Sequence, residues 1–192
     1  WLRNNPLLRW KALFLTEAQK RVRVVEPAEF MAILEACENP VVRALLIIGY
    51  HAGLRRTELC NLRWTACTLE GGILHVENNA EAGEFTKSRK VRSIPMTEAV
   101  QGELRKLLEG ADKVIDAGQQ RPKFPHVFTW DNGDQFKPTW LTHEFARIIK
   151  RAKITHCSLH DLRRSWSTIL QRAGVDRSIV KDLGGWSVIG VV

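Results

Sequence analysis

The chain has 192 residues, 44% of them hydrophobic, and a formal net charge of +8 at pH 7. That composition supports one packed domain of ordinary size, with or without a short appendage, and excludes a disordered chain. The positive charge favours a nucleic acid partner, because basic surfaces bind phosphate backbones, although a basic protein without such a partner has the same composition.

The first 24 residues mix basic and apolar side chains without a clear period. We therefore predict that residues 1–24 are a linker or the tail of a preceding domain. The chain starts at Trp1 and not at a methionine, so we expect it to be a fragment at this end. The second unit, residues 25–192, opens with a helix at Pro27, because proline and nearby acids favour a first helical turn.

A buried helix is predicted from Val41 to Ala52, because this stretch is apolar on nearly every side, and Gly53 is expected to end it. Arg55 follows at once, beside this buried centre. Glu58 comes three residues later, in a short helix that Thr57 would cap. A bidentate pair with Glu58 would hold Arg55 rigidly for a ligand, but a purely structural ion pair fits the same spacing.

Alternating apolar residues predict strands between Gly71 and Met96, with a turn at Asn78–Gly83. Between the strands, Thr86–Pro95 is a tight basic cluster. A basic hairpin tip suits DNA phosphates, whereas lysines also protect edge strands from aggregation. Amphipathic helices are then predicted at 97–108 and 139–152, joined through a surface connection at 111–125 and a short apolar piece.

The stretch Ser158–Thr168 predicts a helix on which His160 and Arg163 share one face, since they are three residues apart. Such a pair suits a phosphate, because arginine binds two oxygens and histidine transfers a proton near neutral pH. Ordinary solvated charges are the alternative. A last helix is capped by Asp176 and interrupted at Gly184–Trp186.

The four cysteines show no CxxC spacing, which indicates free thiols in a reducing compartment, the cytoplasm. His156, Cys157 and His160 do not form a closed ligand set, so no metal is expected, and no cofactor either. No apolar run is long enough to span a membrane.

Four features follow one another along the chain: an arginine with a glutamate three residues later, a basic hairpin, His-x-x-Arg and Gly-Gly-Trp. In this order they resemble the catalytic domain of the tyrosine recombinase (phage integrase) family. The resemblance extends from about Val24 to the end of the chain. It implies an α+β fold, mostly helical, with a small antiparallel β-sheet or hairpin. Its motifs are Gly53–Leu59, Thr86–Pro95, His160–Arg163 and Leu183–Trp186.

The resemblance also implies roles for individual residues. The catalytic set is Arg55, Lys87, His160, Arg163 and Trp186, with Lys90 as the alternative lysine and Glu58 as the supporting acid. Trp186 would donate its indole N–H to a phosphate oxygen or buttress the pocket. The residues expected to contact DNA are Arg56, Lys90, Arg92 and Arg164.

One departure concerns the nucleophile. The family's tyrosine follows the histidine or tryptophan position by two or three helical turns, and this chain ends at Val192. The one tyrosine present, Tyr50, lies in the buried helix and does not match. We therefore expect the nucleophile beyond Val192 and expect the chain to be inactive as it stands.

The implied activity is site-specific cleavage and rejoining of double-stranded DNA through a 3′-phosphotyrosine, by a homotetramer on two DNA sites when the protein is full length. Two alternatives share the same residues. One is a DNA-binding relative that has lost catalysis, and the other is an enzyme like the type IB topoisomerases, acting as a monomer.

Overall fold

The computed structural model describes residues 23–76, 91–116 and 119–186. These ranges contain seven α-helices, a short 3-10 helix at Trp64–Ala66 and five short strands, which confirms the predicted α+β class, mostly helical with a small antiparallel sheet. The helices are α1 (Pro27–Glu35), α2 (Pro40–Ala52), α3 (Arg56–Cys60), α4 (Glu98–Gly110), α5 (Pro138–Ala152), α6 (Leu159–Arg172) and α7 (Arg177–Gly184). The strands are β1 (Cys67–Thr68), β2 (Ile73–Val76), β3 (Arg92–Pro95), β4 (Lys113–Asp116) and β5 (Gln119–Pro122).

Helix α2 is the centre of the fold, as its apolar sequence predicts. It packs against α4 on one side and α6 on another. Leu45, Leu46 and Ile48 are fully buried. The side chain of Asn39 caps its first turn by accepting from the backbone N–H groups of residues 41 and 42. Because α2 is enclosed in this way, the residues that follow it start from a fixed point in the core.

The end of α2 sets the position of the next segment. Gly53 has φ +61°, the left-handed conformation in which a glycine commonly ends a helix. Helix α3 begins after Arg55, whose backbone N–H donates to Oε2 of Glu58 at 2.7 Å. The predicted cap at Thr57 is therefore wrong, because the carboxylate of Glu58 satisfies the first turn from within the helix.

The main sheet has the strand order β1-β2-β3, with antiparallel pairs throughout. Leu74 lies opposite Ile94, and Val76 lies opposite Arg92. Leu74, Val76, Ile94 and Arg92 are all buried, so Arg92 lies on the inner face of β3. The predicted turn at Asn78–Gly83 and the predicted hairpin tip, with Lys87 and Lys90, lie outside the described residues.

Residues 111–125 are not the simple surface connection that their composition predicts. Strands β4 and β5 pair as a separate antiparallel hairpin, with Val114 opposite Arg121 and Ile115 opposite Gln120. Both strands are largely exposed. Their pairing rests on backbone hydrogen bonds and not on a buried apolar face, which is why no alternation marks them in the sequence.

Helices α6 and α7 pack against each other, and α7 also contacts β3. Ser158 caps α6 by accepting from the backbone N–H of Asp161, and Asp176 caps α7 as predicted. Gly185 ends α7 in the left-handed conformation. None of the helices within the described ranges combines the length and apolar character needed to cross a bilayer. Cys37, Cys60, Cys67 and Cys157 are free thiols.

Candidate active site

The carboxylate of Glu58 is the point on which the candidate site converges. Its side chain is 7% exposed. Oε1 accepts from Nη1 of Arg55 at 2.6 Å and from Nη1 of Arg92 at 3.0 Å. Oε2 accepts from Nη2 of Arg92 at 2.7 Å, and Nη1 of Arg163 lies 4.0 Å away. One carboxylate thus gathers three arginines from α6, β3 and the start of α3.

Arg163 is the most enclosed of these arginines, at 1% exposed. Its Nη1 donates to the carbonyl of Gly53 and its Nη2 to the carbonyl of Gly184. Its Nε is buried and has no hydrogen-bond partner in the part of the chain that the structure describes. The guanidinium also lies over the indole of Trp186, 4.5 Å from the ring centroid. Helix α6 is fixed on its other side by its apolar residues, so this guanidinium is held rigidly.

Arg55 is the arginine that opens to solvent. Its side chain is 21% exposed, whereas that of Arg92 is 5% exposed. Its Nη2 donates to the carbonyl of Gly185 at 2.9 Å. The site therefore has a rigid interior, formed by Arg163 and Glu58, and an accessible mouth at Arg55.

The electrostatics of the cluster favour an anion. Three guanidiniums surround one carboxylate, which leaves two positive charges uncompensated. Burial, together with the charge of Arg55, lowers the pKa of Arg163 from 12.5 to about 9, with Glu58 acting in the opposite direction. Burial opposes the ionisation of Glu58, but its hydrogen bonds to Arg92 and Arg55 lower its pKa below 4.5. Glu58 and Arg163 are therefore both charged at pH 7, and an anion bound there would relieve the repulsion among the arginines.

His160 lies one helical turn before Arg163 on α6 and is more accessible to solvent than that arginine. Partial burial and then the charges of Arg164 and Arg163 lower the pKa of its imidazole below 6.5. The ring is therefore neutral at pH 7 and able to accept a proton. The shared face that the spacing predicts places a proton acceptor next to a fixed cation.

Arg92 is the clearest difference between sequence and structure. We expected it at a basic surface in contact with DNA, and the structure corrects that expectation. Its side chain is buried because β3 turns it toward Glu58, and its Nε donates to the carbonyl of Leu183 at 2.8 Å. The prediction of a bidentate pair between Glu58 and Arg55 is also wrong. Arg55 donates to Glu58 through one guanidinium nitrogen, and Arg92 makes the bidentate contact. The alternation of Arg92 and Ile94 along β3 is a sequence signal that predicts this inward position.

The other predicted residues lie around this cluster or outside the described ranges. Arg56 is exposed, and its Nη1 donates to Oγ1 of Thr142 on α5 at 2.6 Å. Arg164 is 41% exposed and lies 3.4 Å from Oδ1 of Asp161. Both remain available to a surface partner. Lys87 and Lys90 are not among the described residues. Within the described ranges, no group of three or more metal-ligating side chains is positioned to hold a metal ion.

Comparison with known proteins identifies the family. The model of the phage integrase family matches residues 23–192. The integrase of Salmonella phage P22 is 25% identical over 173 residues, which are 90% of this chain and 43% of that protein. A tyrosine recombinase of Thermosipho africanus is 32% identical over 138 residues, 71% of this chain and 42% of that protein. The chain belongs to the phage integrase family, the tyrosine recombinases.

A solved structure shows the same fold. The integrase of the Tn1549 transposon, in complex with transposon right end DNA, superposes with a TM-score of 0.76 at 22% identity. The match covers 98% of this chain and 65% of that one. The chain spans less than half the length of the two relatives above.

Proposed function

We propose that the protein is a site-specific DNA recombinase that cuts and rejoins double-stranded DNA through a 3′-phosphotyrosine intermediate. One observation carries this proposal: Arg55 and Arg163, from segments 108 positions apart in the sequence, converge on Glu58 with positive charge in excess. The family to which the chain belongs supports the same reaction. One buried arginine and one accessible arginine beside it suit a phosphodiester, because a forked guanidinium can donate to two phosphate oxygens at once.

The chemistry of strand cleavage matches what these arginines supply. Attack on phosphorus concentrates negative charge on the two non-bridging oxygens in the transition state. Donors already fixed in a partly dry site stabilise that charge without having to reorganise. Arg163 is fixed by two backbone carbonyls and Trp186, and Arg55 by Glu58 and Gly185. We assign both guanidiniums to the non-bridging oxygens, where they do the work that a metal ion does in other enzymes.

Proton transfer is assigned to His160 and Lys87. A tyrosine has an ordinary pKa of about 10, so its hydroxyl needs a base to attack at neutral pH. His160 is neutral at that pH because its pKa is lowered, so it fits the base. Lys87, with Lys90 as the alternative, would protonate the departing 5′-oxygen. The tyrosine oxygen thus bonds to phosphorus as the 5′-hydroxyl leaves, and the reverse step rejoins the strand.

The nucleophile is expected in sequence that follows Val192. Tyr50 does not fit the role, because its ring is 5% exposed and stacks on Phe30, with centroids 3.8 Å apart. Its hydroxyl donates to the carbonyl of Val25, and burial raises its pKa to about 12. The remaining steps, pairing of two DNA sites and action as a tetramer, belong to the full-length protein and rest on the family resemblance.

The test is covalent trapping on a nicked suicide DNA substrate, with a form of the protein that carries the sequence beyond Val192. We expect a protein–DNA adduct, and a rate lower by about 10²–10³ in Arg55→Ala and Arg163→Ala, as for loss of an oxyanion donor. DNA binding should survive in both variants. Normal cleavage by either variant would overturn the site assignment.

Covalent trapping, combined with assays of supercoil relaxation and of exchange between two DNA sites, separates the alternatives. DNA binding without any adduct would show a binding protein that lacks catalysis. An adduct together with relaxation of supercoiled DNA, but no exchange between two sites, would show a topoisomerase-like enzyme. Adduct formation followed by exchange between two DNA sites is the result that the proposal requires.

A further inference from the structure

Arg92 joins three parts of the candidate site through one buried side chain. Its Nη1 and Nη2 donate to the two oxygens of Glu58 at 3.0 and 2.7 Å, and its Nε donates to the carbonyl of Leu183 at 2.8 Å. The side chain is 5% exposed. Each of its three nitrogens has a protein partner, so Arg92 acts on other residues of the site and not on a ligand.

Three consecutive carbonyls at the end of α7 each accept from a different arginine. Leu183 accepts from Arg92, Gly184 from Arg163 and Gly185 from Arg55. The last carbonyls of a helix lack partners within the helix and carry the negative end of its dipole, so cations suit them. The end of α7, with Trp186 next in the chain, is therefore held by the same arginines that surround Glu58.

Glycine makes this close approach possible. Gly185 has φ +64°, and a Cβ there would lie 3.3 Å from both Cδ and Nη1 of Arg92. A Cβ on Gly184 would lie 2.0 Å from the ring of Trp186. A side chain on Gly184 would therefore displace the indole, and one on Gly185 would crowd Arg92 in a backbone conformation that favours glycine.

The bidentate pair with Arg92 fixes the orientation of the Glu58 carboxylate toward Arg55. With both oxygens held by Arg92, Glu58 presents Oε1 to Nη1 of Arg55 and Oε2 to its backbone N–H. Without Arg92 the carboxylate would be free to turn toward Arg163, which is only 4.0 Å away. One of the two uncompensated positive charges would also be lost.

We infer that Arg92 is a positioning residue for DNA cleavage, which holds Arg55 through Glu58 and holds the turn before Trp186 through the carbonyl of Leu183. This inference rests on the proposed function, because it concerns the same phosphate pocket. It predicts an effect on the cleavage step and little effect on DNA affinity.

The experiment compares Arg92→Met and Arg92→Lys in the full-length protein. Methionine keeps much of the buried volume without charge or donors, and lysine restores the charge but not the bidentate pair. We expect single-turnover cleavage of a suicide substrate to fall by about 10–100-fold in Arg92→Met, as for a small displacement of catalytic groups. Lysine should recover part of that loss, and the DNA dissociation constant should change by less than about threefold, because no phosphate contact is removed.

A matched control is Arg23→Met. Arg23 also forms a bidentate pair, with Glu29, at 3.1 and 2.6 Å, but this pair lies at the start of α1 and contacts none of the site residues. We expect cleavage by this variant to stay within about twofold of the original rate, as for independent sites.

A double-mutant cycle separates positioning from a merely structural role. Arg92→Met is repeated in an Arg55→Lys background. If Arg92 acts through Arg55, its removal costs a smaller factor there, because the group that it positions is already impaired. An equal factor in both backgrounds would overturn the inference, as would normal cleavage by Arg92→Met, or by Arg92→Lys if the methionine variant does not fold. Absence of any adduct with the unaltered protein would instead contradict the proposed function.

Discussion

The guanidinium of Arg163 lies over the indole ring of Trp186, with its central carbon 4.5 Å from the ring centroid. The same indole tilts against Trp166, whose ring centroid is 6.3 Å away. A cation–π contact is worth about 2 kcal/mol when it is shielded from water. The sequence leaves two roles open for Trp186, an N–H donor or a support for the pocket. The contact gives direct support to the second role, because the ring covers the arginine assigned to the phosphate.

The two roles of Trp186 predict different results for two substitutions. Trp186→Phe keeps an aromatic face for Arg163 and removes the N–H, whereas Trp186→Ala removes both. If support of Arg163 dominates, single-turnover cleavage should fall by less than about threefold in the phenylalanine variant and by about 30-fold in the alanine variant, the factor that corresponds to about 2 kcal/mol. Equal losses in the two variants would show that the N–H is the part that matters.

Glu58 is predicted to matter for stability as well as for cleavage. Glu58→Gln removes the charge that compensates the buried guanidiniums of Arg92 and Arg163. Removing one partner of a buried ion pair costs about 3–5 kcal/mol, because the other charge stays buried without compensation. Denaturant unfolding of the chain should show a loss of this size in the free energy of unfolding.

The control for Glu58 is an ion pair in solvent. Asp116 and Arg121 pair at 2.7 Å on the β4–β5 hairpin, with side chains 58% and 52% exposed. Asp116→Asn should change the free energy of unfolding by about 0–1 kcal/mol. If Glu58→Gln lowers the free energy of unfolding by no more than this, the arginine cluster tolerates the missing carboxylate, and repulsion among the arginines does not destabilise the fold.

Local signals in the sequence were sufficient for most helix boundaries. Pro27 begins α1 and Gly53 ends α2, because each acts through its own backbone conformation within a turn or two. The apolar run of α2 also predicts its central position. These features need no knowledge of what lies elsewhere in the chain.

The features that were not predicted depend on distant partners. Arg92 lies in a basic stretch. Its alternation with Ile94 indicates an inward position, but its partner Glu58 lies 34 residues earlier and cannot be identified from that pattern. The carbonyls that hold Arg55 and Arg163 belong to Gly185 and Gly184, respectively. Every residue has a backbone carbonyl, so the sequence does not show which ones accept from a side chain. The three-arginine arrangement is therefore a tertiary property, although the individual catalytic candidates could be predicted from family motifs.

Gly53 is predicted to be essential to the packing between α2 and α6. Its φ is +61°, and a Cβ there would lie 2.3 Å from two ring atoms of Trp166. Trp166 is 5% exposed, so the ring has no open space to move into. Gly53→Ala should cost about 1–3 kcal/mol in the free energy of unfolding, from overpacking and the left-handed backbone together.

A second glycine provides the comparison. Gly102 lies within α4, and a Cβ there would meet nothing within 4 Å. Alanine favours a helix interior over glycine, so Gly102→Ala should stabilise the chain by about 0.5–1 kcal/mol. Thermal unfolding of the two variants should shift in opposite directions, and a destabilised Gly102→Ala would contradict the geometry at α4.

The lowered pKa of His160 predicts how cleavage depends on pH. The base must be neutral, and its pKa lies below 6.5 because of partial burial and the nearby charges of Arg164 and Arg163. As the pH falls from 8, cleavage should therefore persist to about 6.5 and decline only below that value, as the imidazole becomes protonated. A pH–rate profile of suicide-substrate cleavage measures this limit, and an NMR titration of His160 measures the pKa directly.

Arg164→Gln tests the cause of that shift. Arg164 contributes the largest charge effect on His160, and its loss removes a positive charge that opposes protonation. The pKa of His160 should rise toward 6.5, and the acidic limit of cleavage should move to higher pH by the same amount. If His160 titrates at the same pH in both proteins, then the arginine does not set its pKa. If the pKa of His160 measured by NMR rises but the acidic limit of the cleavage rate stays where it was, then His160 is not the base. The group that limits cleavage at low pH would in that case be a different one, whose pKa does not depend on Arg164.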